Sequence, residues 1–262
     1  MIRALRNAAS GMYAQQLNVD IIANNLANVN TTGYKKSRAE FQDLMYQTLR
    51  ANGFSDTANM QSVGEIHVGN GAVPVATQKS FIQGDITPTG NQLDVAIHGD
   101  GFLQVRRPDG TIAYTRDGAL KISGEGMLVT SQGYIVEPGM SFHDDITGMS
   151  ITRDGVLEVF ATGDVFPANA GQIELAKFLN PAGLRPIGNN LFVETVASGT
   201  PIWGTPASEG FGELLQGYLE ASNVDVVEEM ISMIVAQRAY EINSKTIKTV
   251  EDMLQMANNL KR

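Results

Sequence analysis

Residues 2–29 read IRALRNAASGMYAQQLNVDIIANNLANV. Ile2, Leu5, Ala9, Met12, Val19, Ala23 and Leu26 recur at alternating spacings of three and four, with Gln16 in the one gap. That rhythm lays an apolar seam along a helix in heptad fashion. No proline interrupts it, and Asn28, Asn30 and Gly33 supply stop signals at its C-terminal end. The same alternation returns at the far end of the chain in Met233, Ala236, Tyr240, Asn243, Ile247, Val250, Leu254 and Ala257. Asp225, with Glu228 three residues on, can cap the start of that second helix. A helix from Asp225 to Leu260 spans roughly 50 Å at 1.5 Å per residue. That is longer than an ordinary globular helix and points to a coiled coil.

Between the two helical ends the period drops to two. Phe102–Val105 leads through Pro108-Asp109-Gly110 to Thr111–Thr115, and Asp117-Gly118 turns into Ala119–Ile122. Ser123–Gly126 then turns into Met127–Thr130, and Ser131-Gln132-Gly133 into Tyr134–Glu137. Short strands separated by such turns predict an antiparallel meander within a sandwich or barrel. Thr115-Arg116-Asp117-Gly118-Ala119-Leu120 is echoed by Thr152-Arg153-Asp154-Gly155-Val156-Leu157, either a true repeat or a second use of good hairpin chemistry. Residues Gln47–Gly71 are rich in Asn, Gly and Ser and read as a long loop, which in a compact domain needs a reason. An extended arm over about residues 46–64, touching another molecule, is that reason. The expected division is a helix over 1–30, a connection with its arm over 31–72, a β-rich body over 73–218 and a helix over 219–262.

Composition narrows the chemistry. The chain has 262 residues, 43% apolar and 18% charged, enough to bury a core. Its net charge of -9 disfavours a phosphate backbone as partner. The absence of cysteine removes disulfides, thiolate zinc sites and cysteine nucleophiles together. No apolar run reaches the length of a membrane span, and the N-terminus lacks the apolar core of a cleaved signal peptide.

No catalytic, cofactor or metal site is expected. His67, His98 and His143 have no second histidine at ligand spacing. Gly99-Asp100-Gly101 and Gly124-Glu125-Gly126 are turn glycines rather than phosphate loops. Asp144-Asp145 lacks the EF-hand ligand order, and neither Ser10 nor Ser150 lies in a nucleophile elbow. Trp203 reads as packed against the β body, with an exposed sugar platform as the alternative. Lys35, Lys36 and Arg38 read as a solvated basic elbow, with an intersubunit ion pair as the alternative.

Both ends raise a question of stability. Ordering a residue costs about 1–2 kcal/mol of backbone entropy. A lone helix with one apolar seam does not bury enough surface to offset that cost, so burial must come from several sides. Asn24, Asn25, Asn28 and Asn30 close the first seam with polar amides. They read either as a frayed end or as amides packed between helices to fix register. Heptad-bearing ends that pair within a chain and then with neighbours form heterologous contacts, which generate a helical filament unless they close.

The motifs carry a family resemblance. Ser10-Gly11-Met12-Tyr13-Ala14-Gln15-Gln16 and Ala23-Asn24-Asn25-Leu26-Ala27-Asn28-Val29-Asn30-Thr31-Thr32-Gly33-Tyr34-Lys35 resemble the N-terminal signature of the flagellar rod and hook family. Leu93–Ile97, Gly99–Phe102, Tyr114–Gly118, Gly217–Asp225 and Gln237–Lys245 resemble its central and C-terminal motifs, in order along nearly the whole chain. Residues 41–50, FQDLMYQTLR, are most like the branch that forms the distal rod.

The resemblance implies an α+β fold in which N- and C-terminal helices pair as an α-helical coiled coil, flanking a β-rich antiparallel outer domain with an extended arm. It implies a non-enzymatic homo-oligomer, a helical filament whose inner helices surround a channel. Leu5, Met12, Val19, Asn24, Asn25, Leu26, Asn28, Met233, Tyr240, Asn243, Ile247, Val250 and Leu254 would form the inner interface. Tyr46, Leu49, Phe54, Met60 and Val63 would supply arm contacts. Implied partners are the proximal rod proteins, the hook protein, the P-ring and L-ring proteins of a double-membraned cell, and the flagellar type III export apparatus. Nucleic acid and membrane insertion are not implied. The implied location is the rod spanning the periplasm. A proximal rod or hook relative, and a secreted β-rich binding module that oligomerises through coiled coils, stand as alternatives.

Overall fold

The structure, a computed structural model, describes residues 2–50, 65–141, 146–161 and 167–260. They form two compact units. One gathers the described parts of Met1–Leu26, Ser37–Gln78 and Val226–Arg262, the other those of Ala27–Lys36 and Lys79–Asp225.

The first unit contains helix α1 (Ile2–Ala27) and helix α2 (Val226–Asn259), as the seams at both ends predict. α2 begins directly after Asp225 and carries Glu228 and Glu229 in its first turn, where carboxylates suit the positive end of the helix dipole. The helices touch at two levels. Asn25 Nδ2 donates to Glu229 Oε2 at 3.2 Å. A Cβ added to Gly11 would lie 2.9 Å from Asn243 Nδ2. Residues 11 and 25 are fourteen apart, as are 229 and 243, and the order is reversed. The helices therefore run antiparallel over two heptads, roughly 21 Å.

Four strands occupy the same unit: β1 (Ser37–Asp43), β2 (Gln47–Arg50), β3 (Ile66–Val68) and β4 (Ala72–Lys79). β1 pairs with β4, while β2 and β3 pair antiparallel with Gln47 opposite Val68 and Thr48 opposite His67. The loop expected over Gln47–Gly71 is thus a ribbon at both of its ends. Strands of four and three residues are too short to print an alternation on the sequence. The ribbon is fastened to α1: Arg6 donates to Asn70 Oδ1 at 2.5 Å and Asn7 Nδ2 to the Gly69 carbonyl at 3.0 Å. Gly71, at φ +100, lies against Ser10, where a Cβ would overlap the hydroxyl.

The second unit is β-rich. Its strands begin with β5 (Ile86–Pro88), β6 (Val95–His98), β7 (Phe102–Arg106), β8 (Ile112–Thr115), β9 (Leu120–Ile122), β10 (Leu128–Thr130), β11 (Ile135–Val136) and β12 (Ile146–Ile151). They continue with β13 (Val156–Ala161), β14 (Ala168–Gln172), β15 (Leu175–Lys177), β16 (Arg185–Gly188), β17 (Leu191–Val193), β18 (Ile202–Gly204), β19 (Glu213–Gln216) and β20 (Tyr218–Glu220). The main sheet runs β16-β17-β8-β7-β11-β10-β9, with β15 also beside β7 and β18 beyond β15. β12, β13 and β14 form a second sheet, and β6–β19 and β5–β20 are two-stranded pairs.

The predicted strands recur within a residue or two, but the expected simple meander is broken at one place. β8 and β9 do not pair; β11 returns to β7, with Val136 opposite Val105. The Asp117-Gly118 step is a crossing pinned to β6 rather than a hairpin. Val95 N–H donates to the Gly118 carbonyl at 3.0 Å, and a Cβ on Gly118 would overlap the Val95 carbonyl. Its echo behaves differently. Gly155 N–H donates to the Thr152 carbonyl at 2.9 Å, closing a true hairpin between β12 and β13. The two segments share turn chemistry and not a structural role.

β7 organises the core because it is buried on both faces. Leu103 and Val105 join Leu128, Leu157, Ile173 and Leu175 in an aliphatic cluster. Phe102 points the other way, into Tyr114, Phe178 and Phe192. The Tyr114 and Phe178 rings meet edge to face at 4.8 Å, the geometry that aromatic quadrupoles favour. Trp203 lies on β18 and is 48% exposed.

Candidate assembly surfaces

α2 follows its predicted seam. Ala236 and Val250 are buried, and Met233, Asn243 and Ile247 are half-buried. Tyr240 remains 43% exposed, beside an open groove lined by Gln16, Val19, Gln237 and Glu241. Leu254 also stays exposed. On α1, Leu5, Met12, Val19 and Leu26 are half-buried, while Ala9, Gln16 and Ala23 are exposed. Their places in the seam are taken by Ala8, Ala14, Ile22 and Asn25.

The asparagines separate by role. Asn25 is 1% exposed and joins three elements. It exchanges two backbone bonds with Ser37, donating at 2.8 Å and accepting at 2.9 Å, and it also reaches Glu229. It is an amide packed between helices. Asn28 accepts from the Thr31 hydroxyl at 3.2 Å beyond the helix end, and Asn24 is exposed.

α2 has a second apolar face that the sequence reading did not single out. Val227, Ile231, Ile234 and Val235 are 66, 57, 56 and 62% exposed. Four-and-three spacing puts them on one stripe, roughly opposite the stripe of Glu229, Ala236 and Val250 that α2 buries within the chain. A count of both apolar stripes on this helix, rather than the better one alone, would have found it.

The ribbon is also apolar on its surface. Met45, Tyr46, Leu49 and Ile66 are each more than half exposed. Asp43 beside the Tyr46 phenol accepts its hydrogen bond and pushes its pKa up. The other expected arm residues, Phe54, Met60 and Val63, lie outside the described residues.

The motif residues of the second unit converge on one carboxylate. Lys35 Nζ donates to Glu220 Oε1 at 2.5 Å and to the Ile82 carbonyl at 2.8 Å. Arg116 donates to Glu220 Oε2 at 3.3 Å and to the Gly99 carbonyl at 2.8 Å, with its guanidinium 5.3 Å from the Phe102 ring centre. The Gly84 N–H supplies a further bond to Oε1 at 2.9 Å. Lys35 and Glu220 are each 1% exposed and Arg116 is 5% exposed. Burial pushes the Lys35 and Arg116 pKa values down, and the Glu220 charge opposes it. Beside them Asn223 accepts from the Lys36 N–H and donates to the Ser80 and Ile82 carbonyls.

Lys35 is therefore neither a solvated elbow nor an intersubunit partner: its ammonium is spent inside its own chain. The segment after α1 and the segment before α2 are held together by this ion cluster. Arg38, by contrast, is exposed and donates to Gln78 at 2.8 Å.

Helices at both chain ends, a β body between them and an apolar ribbon define the class: a subunit of an axial assembly. Known proteins agree along the chain. Residues 5–35 match the family model for the flagella basal body rod protein. Residues 96–159 match that for the flagellar hook protein FlgE/F/G D1 domain, and residues 215–260 that for the flagellar basal body rod FlgEFG protein C-terminal region. The flagellar basal-body rod protein FlgG of Borreliella burgdorferi is 56% identical over 100% of both chains. Its namesakes in Buchnera aphidicola subsp. Schizaphis graminum and Caulobacter vibrioides are each 47% identical, over 99% of this chain and 100% of theirs. The chain belongs to the FlgG family of flagellar basal-body rod proteins.

Proposed function

We infer that this chain is a structural subunit of the distal rod of the bacterial flagellum, polymerising into a rigid helical tube that transmits torque to the hook and lines the export channel. The observation that carries the polymer is the two-faced α2. One apolar stripe is covered by the chain itself, and the other is left to solvent along the first turns of the helix. Exposed stripes of that kind are a cost to an isolated chain and a driving force between chains, at about 25 cal/mol per Å² buried.

α1 and α2 pair as a coiled coil through the residues from Leu5 to Asn28 and from Met233 to Leu254 named above, and copies of the pair form the inner tube. The β-rich unit forms the outer layer. The arm over about residues 46–64 reaches a neighbouring subunit through Tyr46, Leu49, Phe54, Met60 and Val63. The subunit stacks on proximal rod proteins, carries the hook protein and, in a double-membraned cell, turns within the P-ring and L-ring proteins. It reaches the periplasm through the flagellar type III export apparatus. Its role is mechanical and not enzymatic.

Electron microscopy of the concentrated full-length protein tests this. An open helical tube is expected. Discrete closed particles would instead identify a binding module that oligomerises through its helices. Removing residues 46–64 is expected to leave the tube but make it more flexible; tubes as straight and stiff as the parent would refute the arm's part.

A further inference from the structure

We propose that the Asn223 side chain is a clasp that stiffens the passages of chain between the two units of the subunit. This rests on the mechanical role proposed above and names the residues that would keep the shaft from bending.

The chain crosses from one unit to the other at 26/27, 36/37, 78/79 and 225/226. Every covalent path between the units runs through these four passages. Within the β-rich unit, the stretches that lead into three of them are stitched to one another. Asn223 Oδ1 accepts from the Lys36 N–H at 2.8 Å. Its Nδ2 donates to the Ser80 carbonyl at 2.9 Å and to the Ile82 carbonyl at 3.0 Å. Backbone bonds complete the ring: the Ser80 N–H donates to the Lys36 carbonyl at 2.9 Å and the Asn223 N–H to the Tyr34 carbonyl at 3.4 Å. Lys79 Nζ adds a bond to the Lys35 carbonyl at 3.1 Å and lies 4.7 Å from the Tyr34 ring centre.

A short primary amide suits this seat. It offers an acceptor and two donors on one stem, and all three are used. Aspartate would set an oxygen against two carbonyls, and alanine would take this partner from one N–H and two carbonyls at once. Because each arm holds a different stretch, a turn about the chain at one passage strains the bonds to the others. A polar network with every member satisfied is rigid in this way. The Lys35–Glu220 pair next to it neutralises charge, whereas the amide fixes direction.

Gln216 supplies the comparison. It is wired alike, accepting from the Ile151 N–H at 3.1 Å and donating to the Gln92 and Met149 carbonyls at 2.8 and 2.9 Å. Both amides are half-buried. The partners of Gln216 belong to stretches that stay within the β-rich unit, so it holds no passage. The two residues separate the loss of three hydrogen bonds from the loss of three at the passages.

Asn223→Ala and Gln216→Ala are made in the full-length protein, with Trp203 fluorescence confirming that each is folded. Hydrogen exchange of the monomer is read first. The Lys36 and Ser80 amides should exchange roughly tenfold faster in Asn223→Ala, the size expected for one lost buried hydrogen bond, and at the parent rate in Gln216→Ala. Tubes are then grown and their bending measured by electron microscopy. Persistence length should fall several-fold in Asn223→Ala and stay at the parent value in Gln216→Ala. Unchanged exchange at Lys36 and Ser80 would overturn the clasp. Parent-like stiffness in Asn223→Ala, or equal softening by Gln216→Ala, would overturn its mechanical part and leave the polymer standing. A parent that forms no tube would overturn the polymer and the stiffening role with it, while exchange alone still decides the clasp.

Discussion

Glu220 is one carboxylate serving two buried cations, and that asymmetry makes its removal differ from theirs. Replacing it by glutamine leaves Lys35 inside the protein without its carboxylate partner and Arg116 with only the exposed Asp100 carboxylate, which costs roughly 3–5 kcal/mol for a broken buried pair. Lys35→Met leaves Glu220 still bonded to Arg116 and to the Gly84 N–H, so it should cost clearly less. Trp203 is the sole tryptophan and sits on β18, so its fluorescence reports on the β-rich unit. Urea midpoints followed through it should rank parent, Lys35→Met and Glu220→Gln in falling order; equal losses would show that Glu220 is not the hub. Tyr114 makes a pH prediction. Burial, with the Glu194 charge, raises its phenol from 10.0 to about 12. Between those values the unfolded chain has released the proton and the folded chain still holds it, so stability falls as pH rises through that window. The loss is up to about 2–3 kcal/mol at roughly 1.4 kcal/mol per unit. Lys35 and Lys79, both lowered by burial, act with the opposite sign as pH approaches 10.5. Tyr114→Phe should therefore lose the downward slope between pH 10 and 12; a slope equal to the parent's would remove the phenol from the account.

At the scale of the element, the pairing of α1 with α2 depends on what stands at Gly11. Alanine there gains about 1 kcal/mol of helix propensity over glycine. Its Cβ, however, would meet Asn243 Nδ2 at 2.9 Å. Gly11→Ala should be near neutral alone and stabilising by about 1 kcal/mol in an Asn243→Ala background, read from thermal melts of helical circular dichroism. The same gain in both backgrounds would mean the helices do not cross closely at that level. These helices also show what a sequence can reveal. On α2 one heptad register carries Met233, Ala236, Ile247 and Val250, so the buried stripe could be read, while the second apolar stripe at Val227, Ile231 and Ile234 went unread beside it. On α1 the pairs Ala8–Ala9 and Ile21–Ile22 offer two registers one residue apart, and Leu5, Met12, Val19 and Leu26 suit both. Only contact with α2 and β1 selects Ala8, Ala14, Ile22 and Asn25. Strands framed by turn residues, such as β7 and β8, were legible, while β2 and β3 were too short to be. The Lys35–Glu220 bond joins residues 185 positions apart, and no local pattern connects them.

For the whole molecule, charge and apolar surface pull assembly in opposite directions. Each copy carries a net charge of -9, so copies repel as they are brought together. The surfaces proposed to meet, the exposed α2 stripe and the ribbon, are mainly apolar and gain little from ionic attraction. Salt shortens the range of repulsion from about 30 Å at 0.01 M to about 8 Å at 0.15 M and leaves apolar burial in place. The critical concentration for assembly should therefore fall several-fold across that range, as measured by sedimentation of polymer from full-length protein at neutral pH. Sulfate should lower it further than chloride at matched ionic strength, because excluded anions strengthen apolar burial. A tube held by ion pairs between copies, for example through the exposed Arg38, would do the reverse: the same salt would dissolve it. The direction of the salt response thus separates an apolar contact along α2 from an ionic one at the basic elbow.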